Sequence, residues 1–366
     1  MGVKSDGREA RRRATLKEVA SELSVSPATV SNAYNRPDQL SAELRERVFE
    51  TARRMGYTGP DPAARSLRRR RAGAVGVLYT DRLSYAFADP VSVMFLEGIA
   101  TATEGAGLGM LLIPGGALRE RDPEAIGNAV VDGFVIYCMA ENDPLATAAL
   151  DRQLPTVLVD QPEIGGIPSV GIDDEGAARA AAAHLIELGH RHLGVVSFEL
   201  ALNAPGGIAD RRRQSEATYR PSRSRLKGYA SAVEDADRSW DEVPVYECTE
   251  NAPSQGRIAA EYLLSREPRP TALLCLSDQL AVGAYEAARE MGLSVPEDLS
   301  VVGFDDIPAA ARMDPPLTTV YQPHVEKGVR AGELLISQLR GEESSVSELL
   351  PARLVVRGST APPSKS

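Results

Sequence analysis

The chain has 366 residues, enough for two or three domains, and its 43% hydrophobic content is ordinary for a globular protein. It has no run of 18 apolar residues and no apolar N-terminal leader, which excludes a spanning helix and points to a soluble, cytoplasmic protein. The net charge of −10 hides a split: residues 1–71 carry 16 Lys/Arg against 9 Asp/Glu, while the remainder carries 25 against 42, as expected of a basic nucleic-acid module joined to an acidic body.

Residues 1–13 are polar and Arg-rich and read as a basic disordered arm. Thr15 and Glu18 then form a capping box, with Leu16, Val19, Ala20 and Leu23 on one helical face. Ser26 caps a second helix with Pro27 at its first position, and Val30 and Ala33 continue its buried side. Ser41 opens a third helix through Leu44, Val48, Ala52 and Met55, ended by Gly56. Two short helices across a tight turn, braced by a third, predict a helix-turn-helix unit over residues 14–58. The exposed face of the second helix is small and polar (Pro27, Ala28, Thr29, Ser31, Asn32), as close approach to base edges requires. A basic linker, 59–71, follows, which reads as a short helix opened by Pro62 or as a charged interdomain tether.

From residue 72 to 366 apolar runs alternate with helical segments. Strands are expected at Ala74–Tyr79, Met110–Ile113, Gly133–Cys138, Thr156–Val159, Ser169–Ile172, Leu193–Ser197, Val243–Glu247, Ala272–Cys275, Leu299–Phe304 and Thr318–Tyr321. Helices such as Glu175–Leu188, Gln255–Ser265 and Asp278–Met291 lie between them. The pattern predicts two similar doubly wound α/β lobes with parallel sheets, whose ligand site lies beyond the carboxyl ends of the strands. The stretch 208–220 is read as a solvated surface loop, with a cleft-edge lid as the alternative.

The chemistry scan gives no enzyme. Cys138, Cys248 and Cys275 stand alone in hydrophobic stretches and read as buried thiols. The four histidines are scattered, so neither a metal nor a cofactor is expected. Gly105–Gly109 follows a helix and precedes a strand, the reverse of a phosphate loop. Asp305-Asp306 lacks a third metal ligand nearby.

The string ATLKEVASELSVSPATVSNAYN resembles the headpiece of the LacI/GalR family of bacterial transcription regulators. GYTGPDPAARSLRRRRAGAVGVL, VGIDDEGAARAAAAHLIELGHRHLGVVS, RLKGY, CLSDQLAVGAYEAAREMGLSVPEDLSVVGFDDI and PPLTTVYQP continue the resemblance in the family's order. It implies a homodimeric repressor on a palindromic operator, with a periplasmic-binding-protein-like core. A small-molecule effector, taken as a sugar, binds between the core lobes. A purine-type corepressor is the alternative; a solute-binding protein fits the core but not the basic headpiece.

By the same resemblance the DNA-facing set is Thr15, Leu16, Ser26, Pro27, Ala28, Thr29, Ser31, Asn32, Asn35 and Tyr57, followed in the hinge by Ala64, Arg65, Leu67 and Arg68. Pro27, Ala28 and Asn32 occupy the positions that set base choice. Pro27 and Ala28 offer no hydrogen bonds, which points to apolar contacts such as a thymine methyl. Leu67 stands at the family's minor-groove wedge, and one extra residue between Tyr57 and Leu67 departs from the common hinge spacing. The implied effector contacts are Asp160, Arg225, Ser277, Asp305 and Gln322. For Asp173, Asp174 and Asp278 helix capping is as good a reading as ligand contact. Trp240 lies in a polar connection and is not assigned to the cleft, where Tyr79 and Phe87 are candidates for an apolar wall.

Overall fold

The computed structural model describes residues 14–59, 71–79, 82–115, 122–161, 163–203, 205–342 and 347–364. The chain divides into two units, residues 1–72 and residues 73–366. In the first, α1 (Leu16–Glu22), α2 (Pro27–Asn35) and α3 (Ala42–Met55) each start at a hydroxyl cap, Thr15, Ser26 and Ser41. Such a cap satisfies an otherwise orphaned N–H and is worth about 1 kcal/mol. The Thr15–Glu18 box forms as its spacing predicts, and Gly56 takes the left-handed conformation (φ 72°) that ends α3. Val19, Ala20, Val30, Ala33, Val48 and Ala52 make the small core. It is edged by Tyr34, whose ring meets Phe49 and Tyr57 edge-on at 5.0 and 5.9 Å.

The second unit holds two sheets. In chain order its first part runs β1 (Ala74–Tyr79), α4 (Leu83–Ala88), α5 (Pro90–Gly105), β2 (Gly109–Pro114), α6 (Pro123–Asn128), β3 (Phe134–Tyr137), α7 (Pro144–Asp151), β4 (Thr156–Val159) and β5 (Ser169–Ile172). Then come α8 (Asp174–Glu187), β6 (Leu193–Ser197), β7 (Gly207–Ile208), α9 (Arg211–Ser215), α10 (Arg220–Asp235), β8 (Val245–Glu247), α11 (Pro253–Leu264), β9 (Ala272–Cys275), α12 (Asp278–Glu290) and β10 (Ser300–Val302). The chain closes with β11 (Thr319–Tyr321), α13 (His324–Leu339), β12 (Ser347–Leu350) and β13 (Arg353–Val355).

The first sheet has the order β12-β5-β4-β3-β1-β2 and the second β10-β9-β6-β8-β7. Both reverse direction beside their first strand, β1 in one lobe and β6 in the other, which is the switch point of a doubly wound sheet. The strands pair in parallel except at the edge, where β7 runs antiparallel to β8, and in the separate β11–β13 ribbon. The lobes are joined by chain passing from β5 into α8, from β11 into α13 and from β12 into β13.

Helix pairs clamp each lobe at glycine. A Cβ on Gly98 of α5 would lie 2.0 Å from the Val325 carbonyl oxygen, and one on Gly328 of α13 2.2 Å from that of Phe95. In the other lobe Gly256 and Gly283 serve the α11–α12 crossing in the same way.

Several expectations shift. The strand expected from Gly133 stops at Tyr137 because Cys138 turns left-handed (φ 48°). The strand expected from Val243 begins at Val245, after a one-turn 3-10 helix at Trp240–Glu242. The stretch 208–220 is not merely a loop: it contributes to edge strand β7 and holds α9, capped by Asp210. Its charges are paired, Arg211 with Glu234 and Asp241, Arg212 with Glu216, and Arg213 with the fully buried Glu247. Trp240 is buried, and its indole N–H donates to Gln214 at 2.8 Å, so it braces α9.

Candidate functional site

On the headpiece, Ser26, Pro27 and Ala28 are exposed and Thr29, Ser31 and Asn32 half-exposed along α2. Some of this polarity is already engaged. The Ser26 hydroxyl accepts the Thr29 N–H at 3.0 Å and lies 2.9 Å from the Thr29 hydroxyl. Asn35 donates to the carbonyl and hydroxyl of Ser31, and Asn32 to Gln39 at 3.3 Å. Pro27 and Ala28 present only methylene and methyl surface. Thr15 is exposed at its cap, whereas Leu16 and Tyr57 pack against the headpiece core. Ala64, Arg65, Leu67 and Arg68 lie outside the described residues.

In the second unit a cavity of about 540 Å³ opens between the lobes at the carboxyl ends of the strands. Tyr79 ends β1, Tyr137 ends β3 with Cys138 just after it, and Asp160 follows β4. From the other lobe come Phe198 after β6, Asn251 after β8 and Asp305 after β10. Four of the five expected effector residues, Asp160, Arg225, Asp305 and Gln322, stand on its wall.

These four are wired together. Lys327 Nζ donates to Asp160 Oδ2 at 2.7 Å and to Gln322 Oε1 at 2.9 Å, and Gln322 Nε2 donates to Asp305 Oδ1 at 2.7 Å. Arg225 approaches the same Asp305 oxygen at 3.6 Å. It also donates from Nε to Asp174 at 3.0 Å and from Nη1 to the Leu276 carbonyl at 2.5 Å. The guanidinium lies 3.6 Å over the Phe304 ring. A chain of buried charge thus runs from one lobe to the other across the crossovers, and each member is held in one orientation. Burial pushes Asp305 up to about 7, with Arg225 opposing and the charge of Asp89 adding to the rise. Burial, reinforced by the Lys327 charge, pulls His324 down to about 3, so its imidazole is neutral.

Ser277 corrects the expectation. It does not line the cavity; its hydroxyl caps α12 and donates to Asn251 at 2.5 Å, so the side chain on the wall is Asn251. Asn251 in turn donates to Tyr85 Oη at 3.0 Å, tying the two lobes across the mouth. Phe87 is also corrected: it is 64% exposed and off the wall, because α4 turns it outward, while Tyr79 is on it. Tyr79 stacks on Tyr137, and Tyr137 on Phe95, at 5.2 and 4.1 Å. Cys138 is half-buried, packed on the core and reaching the wall, whereas Cys248 and Cys275 are buried. Asp173 caps α8, and Asp278 holds Thr319 and the Ile307 N–H, so both are structural. Sequence reading missed Lys327, Asp89 and Asn251. Only Asn251 carried a signal, its place just after a predicted strand.

The helix-turn-helix and the paired lobes have close relatives. Residues 15–59 match the family described as bacterial regulatory proteins, lacI family, and residues 182–360 match the periplasmic binding protein-like domain. An HTH-type transcriptional regulator of Mycolicibacterium smegmatis is 44% identical over 96% of this chain and 97% of its own. The chain belongs to the LacI family. Its members are transcription regulators rather than enzymes, and this one is a DNA-binding regulator with a two-lobed core. A LacI-family regulator from Corynebacterium glutamicum has a similar structure (TM-score 0.74, 37% identity, 96% of this chain and all of that one). So does a lac repressor dimer bound to operator and an anti-inducer (TM-score 0.76, 26% identity, 96% and 100%). The regulator CelR in complex with cellobiose aligns at TM-score 0.69 with 28% identity, covering 95% of this chain and all of that one. Among the described residues no helix is long and apolar enough to cross a membrane, and no group of His, Cys, Asp and Glu is placed to hold a metal ion.

Proposed function

We propose that this LacI-family regulator represses transcription as a homodimer on a palindromic operator and is controlled by a sugar held in the cavity between its lobes. The observation that carries the effector is the wall itself. Carboxylates, a guanidinium and amides, fixed by one another, face a space beside the Tyr79–Tyr137 pair. Buried hydroxyl groups need both donors and acceptors, and a pyranose or furanose offers an apolar face to a ring. The cellobiose complex of a relative over nearly its whole length supports this ligand class. The lac repressor dimer on its operator supports the assembly and the palindrome.

Asp160, Arg225, Asp305 and Gln322 are the proposed contacts, joined by Asn251 in place of Ser277. Pro27, Ala28 and Asn32 are the proposed base readers, Ser26, Thr29 and Ser31 the proposed contacts to phosphates or base edges, and Asn35 and Tyr57 position the backbone. Leu67 is the proposed wedge, with Ala64, Arg65 and Arg68 beside it. Leu67→Ala is expected to weaken specific operator binding greatly while leaving weak, salt-sensitive binding intact; unchanged operator affinity in gel shifts sinks that role.

Thermal unfolding of the full chain with a carbohydrate panel tests the effector, because a ligand that binds only the folded state raises the midpoint. A panel without response overturns the sugar. Operator release by the hit marks an inducer, and tightening marks a corepressor.

A further inference from the structure

We propose that the interlobe cavity selects an uncharged polyol and rejects its phosphate ester, so that the regulator reads the sugar before a kinase esterifies it. The inference rests on the sugar reading above and adds the charge of the ligand to it.

The count of charges on the wall is the starting point. Among the described residues five acidic side chains line the cavity, Asp89, Asp160, Glu199, Glu250 and Asp305, the last held partly neutral by burial, against two guanidiniums, Arg82 and Arg225. Arg225 keeps only Nη2 for an anion. Its Nε holds Asp174, its Nη1 holds a backbone carbonyl and faces Asp305, and one face is covered by Phe304. Lys327 is 1% exposed and committed to Asp160 and Gln322. Breaking either arrangement for a ligand phosphate would strand a buried carboxylate.

Helix N-termini are the other anion holders available to the fold, and they are weaker than the carboxylates around them. α5 starts at the wall, and its first turn is already occupied by a protein carboxylate. Asp89 accepts the Ser92 N–H at 2.9 Å and the Ser92 hydroxyl at 2.5 Å, and the same hydroxyl contacts Tyr79 Oη. α10 and α13 lack a side-chain cap and reach the wall through Pro221 and His324. Each supplies about half an elementary charge. That suits a hydroxyl oxygen, but together the two offset one of the five acidic side chains. His324 is neutral and adds nothing. Asp160 has a second buried oxygen, Oδ1, without a hydrogen-bond partner. It calls for a donor such as a ligand hydroxyl.

Calorimetry and thermal unfolding of the full chain test the selection with glucose, ribose and cellobiose, with glucose 6-phosphate and ribose 5-phosphate, and with inorganic phosphate against chloride of equal ionic strength. The expected result is that a sugar that binds loses at least about 100-fold in affinity as its ester, and that inorganic phosphate stabilises no more than chloride does. Glu250→Gln, at an exposed position on the rim, is expected to narrow the sugar-to-ester gap roughly threefold. An ester that binds as tightly as its sugar, or stabilisation by inorganic phosphate beyond the chloride control, overturns the inference. If neither a sugar nor an ester binds, the sugar reading fails and the selection falls with it, whereas an ester that binds where its sugar does not overturns the selection alone.

Discussion

His324 Nε2 donates to the backbone carbonyl of Asp305 at 3.1 Å, joining two buried groups whose protonation is driven in opposite directions. His324 titrates near 3 in the folded chain instead of its usual 6.5, so its contribution to stability is complete above 6.5 and is lost as pH falls toward 3. Asp305 titrates near 7 instead of 3.8, so its contribution is complete below 3.8 and is lost as pH rises toward 7. Between those limits the two slopes oppose each other, each at most about 1.4 kcal/mol per pH unit. Urea midpoints measured from pH 4 to 7.5 should therefore separate the variants. His324→Gln is expected to lose stability as pH rises, and Asp305→Asn, which keeps the size of the side chain, as pH falls. Parallel slopes in the two variants would contradict the pairing.

Lys327 and Asp160 form the other buried link of the same chain, at 2.7 Å. Removing one partner leaves a buried charge unpaired, which costs about 3–5 kcal/mol. Lys327→Met is expected to lower stability by that amount in chemical denaturation. The double variant Lys327→Met/Asp160→Asn should recover most of the loss, because neither side chain is then charged. Equal losses in the single and double variants would show that Lys327 acts through packing alone.

The order of elements was legible in sequence because each rests on local chemistry: hydroxyl caps before α1, α2 and α3, and unbroken apolar runs for β1, β4 and β6. The short pieces were not. α9 has five residues, too few for a period, and it is held by Trp240 and the Arg213–Glu247 pair from distant chain. Strands β12 and β13 pair with β5 and β11, and nothing near them in sequence announces those partners. In the cavity, residues just past strand ends could be picked out because doubly wound sheets expose that position. Lys327 could not, since it arrives on the first turn of a helix from the opposite side. Ser277 was placed on the wall because it follows β9, yet the cap of α12 claims its hydroxyl and leaves Asn251 in front.

The α2 cap offers a test in the headpiece. Ser26 satisfies the Thr29 N–H and orders the Thr29 hydroxyl beside it. Ser26→Ala is expected to cost about 1 kcal/mol in the headpiece transition. Operator affinity should fall with it, and Ser26→Asp should restore the cap but not the affinity, since a carboxylate repels phosphate. Affinity recovered by Asp would mean that Ser26 serves the fold only.

The glycine crossings predict where the core cannot yield. At Gly98 an added Cβ would meet the Val325 carbonyl at 2.0 Å and the Val329 nitrogen at 2.8 Å, both backbone atoms of α13. No rotamer change relieves such a clash, so α5 and α13 would have to separate along their length. α13 also carries His324 and Lys327, and separation would move both against Asp305 and Asp160. Gly98→Ala is therefore expected to destabilise by about 3 kcal/mol or more and to weaken effector binding together with stability. Gly105→Ala is the control: it lies at the end of the same helix with nothing within 4 Å of its Cβ and should be neutral or slightly stabilising. Calorimetric unfolding of the two variants checks this, and comparable melting temperatures for both would show that the helices can part without cost.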